Sequence, residues 1–184
     1  MTIVQKIAAA LLTAVVLSST LAQAGKIQDI TRLNGRWALD WDQSESFDPA
    51  MDALEVPWFL KRLSGVISIY LTLTVEPASC DSCEPRLRIF QENPIKNVTR
   101  TVELDGVSRP ATDALGNESM DRFTWHPDRG MEMFRERVLK SGKAARIHES
   151  RTIADDLDTM ISTMTVWIDG EERAKVRRVL VKVE

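Results

Sequence analysis

The sequence predicts an all-β fold: an antiparallel up-and-down barrel of about ten strands, with a helix-turn-helix lid after the first strand. Three observations carry this. Short segments that alternate apolar and polar residues follow one another along most of the chain. Turn signals, several of them Asp-Gly or Ser-Gly, separate these segments as hairpin connections would. Early in the chain, between Trp41 and Gly65, helix-start signals replace the alternation.

The first 24 residues read as a leader. Lys6 is their only charge, residues 7–17 form an apolar run, and Ala22-Gln-Ala24 precedes Gly25. This is the pattern of a signal peptide with an Ala-x-Ala cleavage site. A membrane-spanning helix needs about twenty apolar residues, roughly twice this run. The expectation is therefore a signal peptide at 1–24, a single domain at 25–184, and a periplasmic or secreted location. No cysteine stands at the cleavage point, so nothing suggests a lipid anchor.

The first strand is short and rich in large side chains (Trp37, Leu39, Trp41). Asp48 then offers a side-chain oxygen to free helical N–H groups, and Pro49 suits the first helical position, where a missing N–H is harmless. Met51 and Leu54 fall three apart on one helical face. Pro57 opens a second short helix, whose end Gly65 marks.

From residue 66 to 76, Ile67, Ile69, Leu71, Leu73 and Val75 alternate with Ser68, Tyr70, Thr72 and Thr74, which is a strand with one apolar face. Further alternating segments run over 86–91, 97–104, 119–126, 131–139, 144–153, 157–167 and 173–183. Asp105-Gly106, Asp128-Arg-Gly130, Ser141-Gly142-Lys143 and Asp169-Gly170 supply the turns. The stretch 107–117 reads as a wide hairpin or a mobile loop. Closing the meander into a barrel would hide its edges; a β-sandwich is the alternative that strand counting leaves open.

Composition narrows the function. With 24 Lys and Arg against 27 Asp and Glu, the formal charge is −3, and no basic cluster interrupts the chain. Nucleic acid is therefore not an expected partner. Cys80-Asp-Ser-Cys83 lies in an inter-strand connection without the helix and βαβ context of a redox motif, so in an exported chain it reads as a small loop-closing disulfide. The two histidines, His126 and His148, are not at zinc-site spacing, and no metal or cofactor is expected. No serine sits in a nucleophile-elbow motif, so the chain is not read as an enzyme.

Basic residues on apolar strand faces are more informative. Arg100 shares a face with Val98, Val102 and Leu104, and Arg151 shares one with Ala145, Ile147, Glu149 and Ile153. A guanidinium kept from water needs an anionic or carbonyl partner. A bound carboxylate would serve, and so would Glu149.

Gly35-x-Trp37-x-Leu39, Ser46-Phe47-Asp48, Met51-Asp52-Ala53-Leu54 and Lys61-Arg62-Leu63-Ser64-Gly65 occur in an order and spacing that resemble the opening of intracellular fatty-acid-binding proteins and of the related secreted bacterial lipocalin-like domains, within the calycin superfamily. The resemblance implies a helix-turn-helix that caps the barrel. It also implies a ligand anchor on the final strand, where that family holds a carboxylate with an Arg-x-Tyr pair. Arg178 falls on the Arg position and Leu180 on the Tyr position, so one hydrogen-bond donor is replaced. The family's second arginine aligns with Glu149, and Arg151 lies two positions on, on the same face. Val179, Val181 and Val183 form an apolar row opposite Arg178, and either row could face inward.

The resulting expectation is an exported, monomeric binding protein for a small apolar or amphipathic ligand of fatty-acid-like or other lipid type, acting as carrier or sequestering agent. Arg178, Arg151, Leu180 and Arg100 are its candidate ligand contacts, and Met51, Leu54, Trp58 and Phe59 its candidate lid. The alternative is a ligand-free structural or protein-interaction domain of the cell envelope. Phe47 and the four lid residues exceed what docking two short helices requires, and Lys61 and Arg62 follow directly. Transient contact with anionic lipid would use that arrangement; plugging the barrel end is the plainer use.

Overall fold

The β1 strand (Gly35–Asp40) is too short to cover its neighbour β10 (Glu171–Lys182), and this mismatch sets the position of everything that follows it. A computed structural model describes residues 30–64, 70–77, 84–92, 97–113 and 116–183. Pairing of β1 with β10 runs only from Trp37 opposite Lys182 to Asp40 opposite Val179. Beyond it, the chain stays on β10 by other means. The Ser44 hydroxyl accepts from the Val179 N–H at 2.9 Å, the Glu45 N–H donates to the Arg177 carbonyl at 2.9 Å, and the Glu45 carboxylate accepts from the Arg177 N–H at 2.6 Å. The first helix is thereby delivered across the end of the sheet, against β10 and β9.

That helix, α1 (Asp48–Ala53), carries Pro49 in its first turn, as expected. The cap differs from the expectation. Asp48 is already helical, and its own N–H is taken by the Ser46 hydroxyl at 3.2 Å. Helix α2 (Trp58–Ser64) begins after Pro57, whose carbonyl accepts from Leu60 and Lys61. Between the helices Glu55 adopts a left-handed conformation (φ 56°).

The remaining strands are β2 (Tyr70–Glu76), β3 (Arg86–Glu92), β4 (Val98–Glu103), β5 (Arg109–Thr112), β6 (Glu118–His126), β7 (Gly130–Val138), β8 (Ala144–Ile153) and β9 (Thr159–Ile168). They form one ten-stranded antiparallel sheet in the order β4-β3-β2-β1-β10-β9-β8-β7-β6-β5. Every sequential neighbour except β4 and β5 is paired, as an up-and-down meander requires, with β1 and β10 joining first to last. The stretch read as a wide hairpin or loop contains β5, a four-residue strand that includes Pro110. Proline has no N–H to donate, and it is tolerated there because β5 is an edge strand with a neighbour on one side only.

The sheet curls so that its two ends, β4 and β5, approach. Asp105 forms an isolated bridge with Thr124, the Gly106 N–H donates to the Phe123 carbonyl at 2.9 Å, and Arg109 binds the carboxylates of both Glu103 and Asp105. The core lies inside this curl: Trp37, Leu73, Leu87, Met131, Met160, Val166 and Val176 are all essentially without solvent contact. Trp37 also donates its indole N–H to the Leu33 carbonyl at 3.0 Å, which satisfies the one polar atom of that buried ring.

Cys80 and Cys83, the leader at 1–24, and Gly65 with the 66–69 start of the second expected strand lie outside the described residues.

Candidate functional site

The concave side of the sheet encloses a cavity of about 680 Å³. Its apolar wall comes from the strand residues Leu39, Leu71, Met133, Ile147, Met164 and Leu180, and from Phe47, Met51, Leu54 and Phe59 of the helical lid. Its polar wall is built by register. Arg178 on β10 pairs with Ser162 on β9, and Ser162 pairs with Arg151 on β8, so these three side chains share one row of the inner face. Glu149, two residues before Arg151, lies on the same face.

Glu149 is the centre of this row. Its Oε1 accepts from Arg151 Nε at 2.9 Å and from the Ser162 hydroxyl at 2.7 Å, and lies 3.7 Å from Arg178 Nη2. Burial by itself would raise the Glu149 pKa. The charges of Arg151 and Arg178 and the two hydrogen bonds outweigh burial and hold it at about 2. Arg178 loses more to burial than it regains from Glu149, and its pKa is lowered. Its guanidinium also lies 4.6 Å from the centre of the Phe47 ring, a cation–π contact that ties β10 to the start of the helical pair.

A second polar group stands further around the curl. Asp121 on β6 accepts from Arg135 on β7 at 2.8 and 2.5 Å, from the Ser119 hydroxyl at 2.8 Å, and from Arg100 on β4 at 3.2 Å. The Arg100 contact crosses the β4 to β6 seam, where Arg100 also lies 5.2 Å from the Phe123 ring. Burial, with the positive charges of Arg135 and Arg151 nearby, lowers the Arg100 pKa to about 10. A third pair, Arg137 to Asp113 at 3.0 Å, sits beneath the lid, and Arg137 reaches the Leu54 carbonyl at 3.5 Å.

Among the described residues, three guanidinium nitrogens of this lining are buried with no hydrogen-bond acceptor: Arg178 Nε, Arg151 Nη1 and Arg137 Nε. Buried donors in native proteins are nearly always satisfied, so these are open to an acceptor from outside the chain, water or ligand alike. The geometry can therefore receive an anionic or strongly accepting head group, with an apolar tail against the Met, Leu and Ile wall.

Sequence reasoning singled out Arg178, Arg151, Leu180 and Arg100, and the fold brings all four to the cavity lining. The valine row opposite Arg178 turns the other way, with Val179 buried on the convex side of β10. Among the lid residues, Met51 is buried, and Leu54 and Phe59 contribute to the lining. Trp58 points outward and is 67% exposed, and Phe59 remains 52% exposed. Arg135, Arg137, Asp121 and Ser162 were not anticipated. The signal was available for most of them, since Arg135 alternates in phase with Met131 and Met133, Asp121 with Phe123 and Trp125, and Ser162 with Met160 and Met164.

This architecture is the fold seen in solved structures of fatty-acid-binding proteins. Solved structures to which the chain is similar include apo lipid binding protein 8 of Caenorhabditis elegans (12% identity, TM-score 0.63, 84% of this chain and 97% of that one). Others are a Schistosoma mansoni fatty acid binding protein in complex with arachidonic acid (17%, TM-score 0.61, 85% and 99%) and fatty-acid-binding protein 1 of Echinococcus granulosus (20%, TM-score 0.57, 83% and 98%). No protein-family profile matches the chain. Among curated proteins, a probable pericyclase, scpY, of Mollisia scopiformis is 36% identical over 45 residues, a match that spans 24% of this chain and 24% of that protein.

Proposed function

We propose that the protein is an exported, monomeric, non-enzymatic carrier or sequestering protein for a small amphipathic ligand with an anionic head. The observation that carries this reading is the pairing, in one cavity, of an apolar wall with the buried and acceptor-free Arg178 Nε and Arg151 Nη1. The similarity to structures described as fatty acid and lipid binding proteins, one of them holding arachidonic acid, supports the same ligand class. Export rests on the leader pattern at 1–24.

In this reading the tail enters past α1 and α2 and lies along Met51, Leu54, Met133 and Met164. Methionine side chains suit ligands of varied shape because they are flexible and polarizable. The head meets Arg178 and Arg151, while Glu149 keeps that pair from presenting its full double charge when the site is empty. Transient contact between α2 and anionic lipid would place the ligand at the entrance.

Organic extraction of the natively purified protein followed by mass spectrometry tests the proposal. A co-purifying anionic lipid in near-stoichiometric amount is expected. No extractable lipid, together with no binding of fatty acids by the purified protein, would favour a ligand-free envelope domain.

A further inference from the structure

We propose that the cavity selects an amphipathic ligand whose head group carries two negative charges, of the phosphate-monoester class, over a monocarboxylate. This rests on the reading that the cavity holds an anionic amphiphile. The argument is one of charge balance. Four guanidinium groups, those of Arg100, Arg135, Arg151 and Arg178, stand around the polar wall, and two carboxylates, Glu149 and Asp121, stand among them. Away from this polar wall, Arg137 is paired with Asp113, and Glu55 accepts from the Ser141 N–H and feels the charges of Lys143 and Arg137. Among the described residues, the polar wall is left with an excess of two positive charges.

The two clusters act as one. Arg100 feels the charges of Arg151 and Glu149 as well as that of its own partner Asp121, and Arg135 feels that of Glu149. An uncompensated pair of buried cations is costly in a low-dielectric interior, and a single carboxylate would offset only half of it. A phosphate monoester brings close to two charges above its second pKa of about 6, with three terminal oxygens for guanidinium forks. Acceptor-free Nε of Arg178 and Nη1 of Arg151 are the donors such oxygens would meet first.

The test compares dodecyl phosphate, dodecanoate and dodecanol, each below its critical micelle concentration, on the delipidated full-length protein by isothermal titration calorimetry. At about pH 8, where the phosphate is a dianion, dodecyl phosphate is expected to bind about tenfold or more tightly than dodecanoate, the size of one additional charge-assisted hydrogen bond. At about pH 5 the phosphate is a monoanion, and the advantage should shrink to within about threefold. Arg100→Gln should weaken dodecyl phosphate by a larger factor than dodecanoate at the higher pH, and equal losses for the two would overturn the dianion inference. Equal or tighter binding of dodecanoate at pH 8, or a phosphate preference that persists undiminished at pH 5, overturns the dianion inference alone. Dodecanol binding as tightly as both anions, or no binding of any probe, overturns the anionic-ligand reading itself.

Discussion

Arg178 Nη2 lies 3.7 Å from Glu149 Oε1, too far for a hydrogen bond, while Glu149 spends its closest contacts on Arg151 and Ser162. Arg178 is thus held in a buried position by a charge that only partly neutralises it. Its Nε has no hydrogen-bond acceptor among the described residues. Arg178→Leu should weaken a long-chain carboxylate by about 1.5 to 3 kcal/mol, the range for hydrogen bonds to charged groups. A neutral analogue of the same length should change much less. Calorimetric titration of both, with a denaturant unfolding curve for the variant, checks this; equal losses for the two ligands would make Arg178 a structural residue.

Glu149 ties stability to acid. Its folded pKa of about 2 lies below its ordinary value of 4.5, so its ionised form stabilises the fold above pH 4.5, and that contribution is lost as pH falls from 4.5 toward 2. Glu149→Gln keeps a hydrogen-bond acceptor but cannot titrate. The variant should be less stable than wild type at neutral pH, and the difference should narrow through that window. Thermal melts of both proteins at stepped pH values measure it; a constant difference across the window would count against the assignment.

Gly130 opens β7 opposite His126 with φ +82°, and a Cβ added there would stand 2.1 Å from the Arg151 carbonyl oxygen. Gly142 has a similar φ of +86°, but an added Cβ would meet nothing within 4 Å. Both Gly→Ala changes carry the backbone penalty. Only Gly130→Ala must also push β8 aside at Arg151, a residue of the cavity lining. Gly130→Ala should therefore destabilise by more than about 1 kcal/mol beyond Gly142→Ala, and should also weaken ligand binding. Urea unfolding of the two variants side by side is the measurement.

The lid presents Trp58 outward with Arg62 5.5 Å from its ring centre, and Phe59 half-exposed beside it. Contact with anionic vesicles at low ionic strength should quench Trp58 when the lipid chains are brominated, and added salt should reverse it. The chain has five tryptophans, so Trp58→Phe must abolish the quenching. Quenching that survives in the variant would assign the contact to another surface.

Processing at Ala24 and closure of Cys80 with Cys83 can be read from one intact-mass experiment. The exported protein should begin at Gly25 and should take up alkylating reagent only after reduction. A mature chain that retains residues 1–24, or two thiols alkylated without reduction, would each refute the corresponding expectation.

What the sequence determined by itself was the meander, because its signals are local. Period-two alternation and the glycines Gly130, Gly142 and Gly170 act within a few residues of themselves and marked most strands, whereas Asp105-Gly106, read as a hairpin turn, links the unpaired β4 and β5 and bonds to β6 instead. The same local rule put Arg151 and Glu149 on one face, and a charge on an apolar face is visible without a fold. Alternation gives two faces, however, and does not say which is inside. Whether Arg178 or the valine row faces the cavity depended on how the sheet curls, which is a property of all ten strands together. The pairing of Arg100 with Asp121 across the seam, the row that joins Arg178, Ser162 and Arg151, and the strand at 109–112 were likewise decided only by tertiary structure. Each depends on pairing between strands, and its free energy depends on the burial and register that curling of the sheet creates.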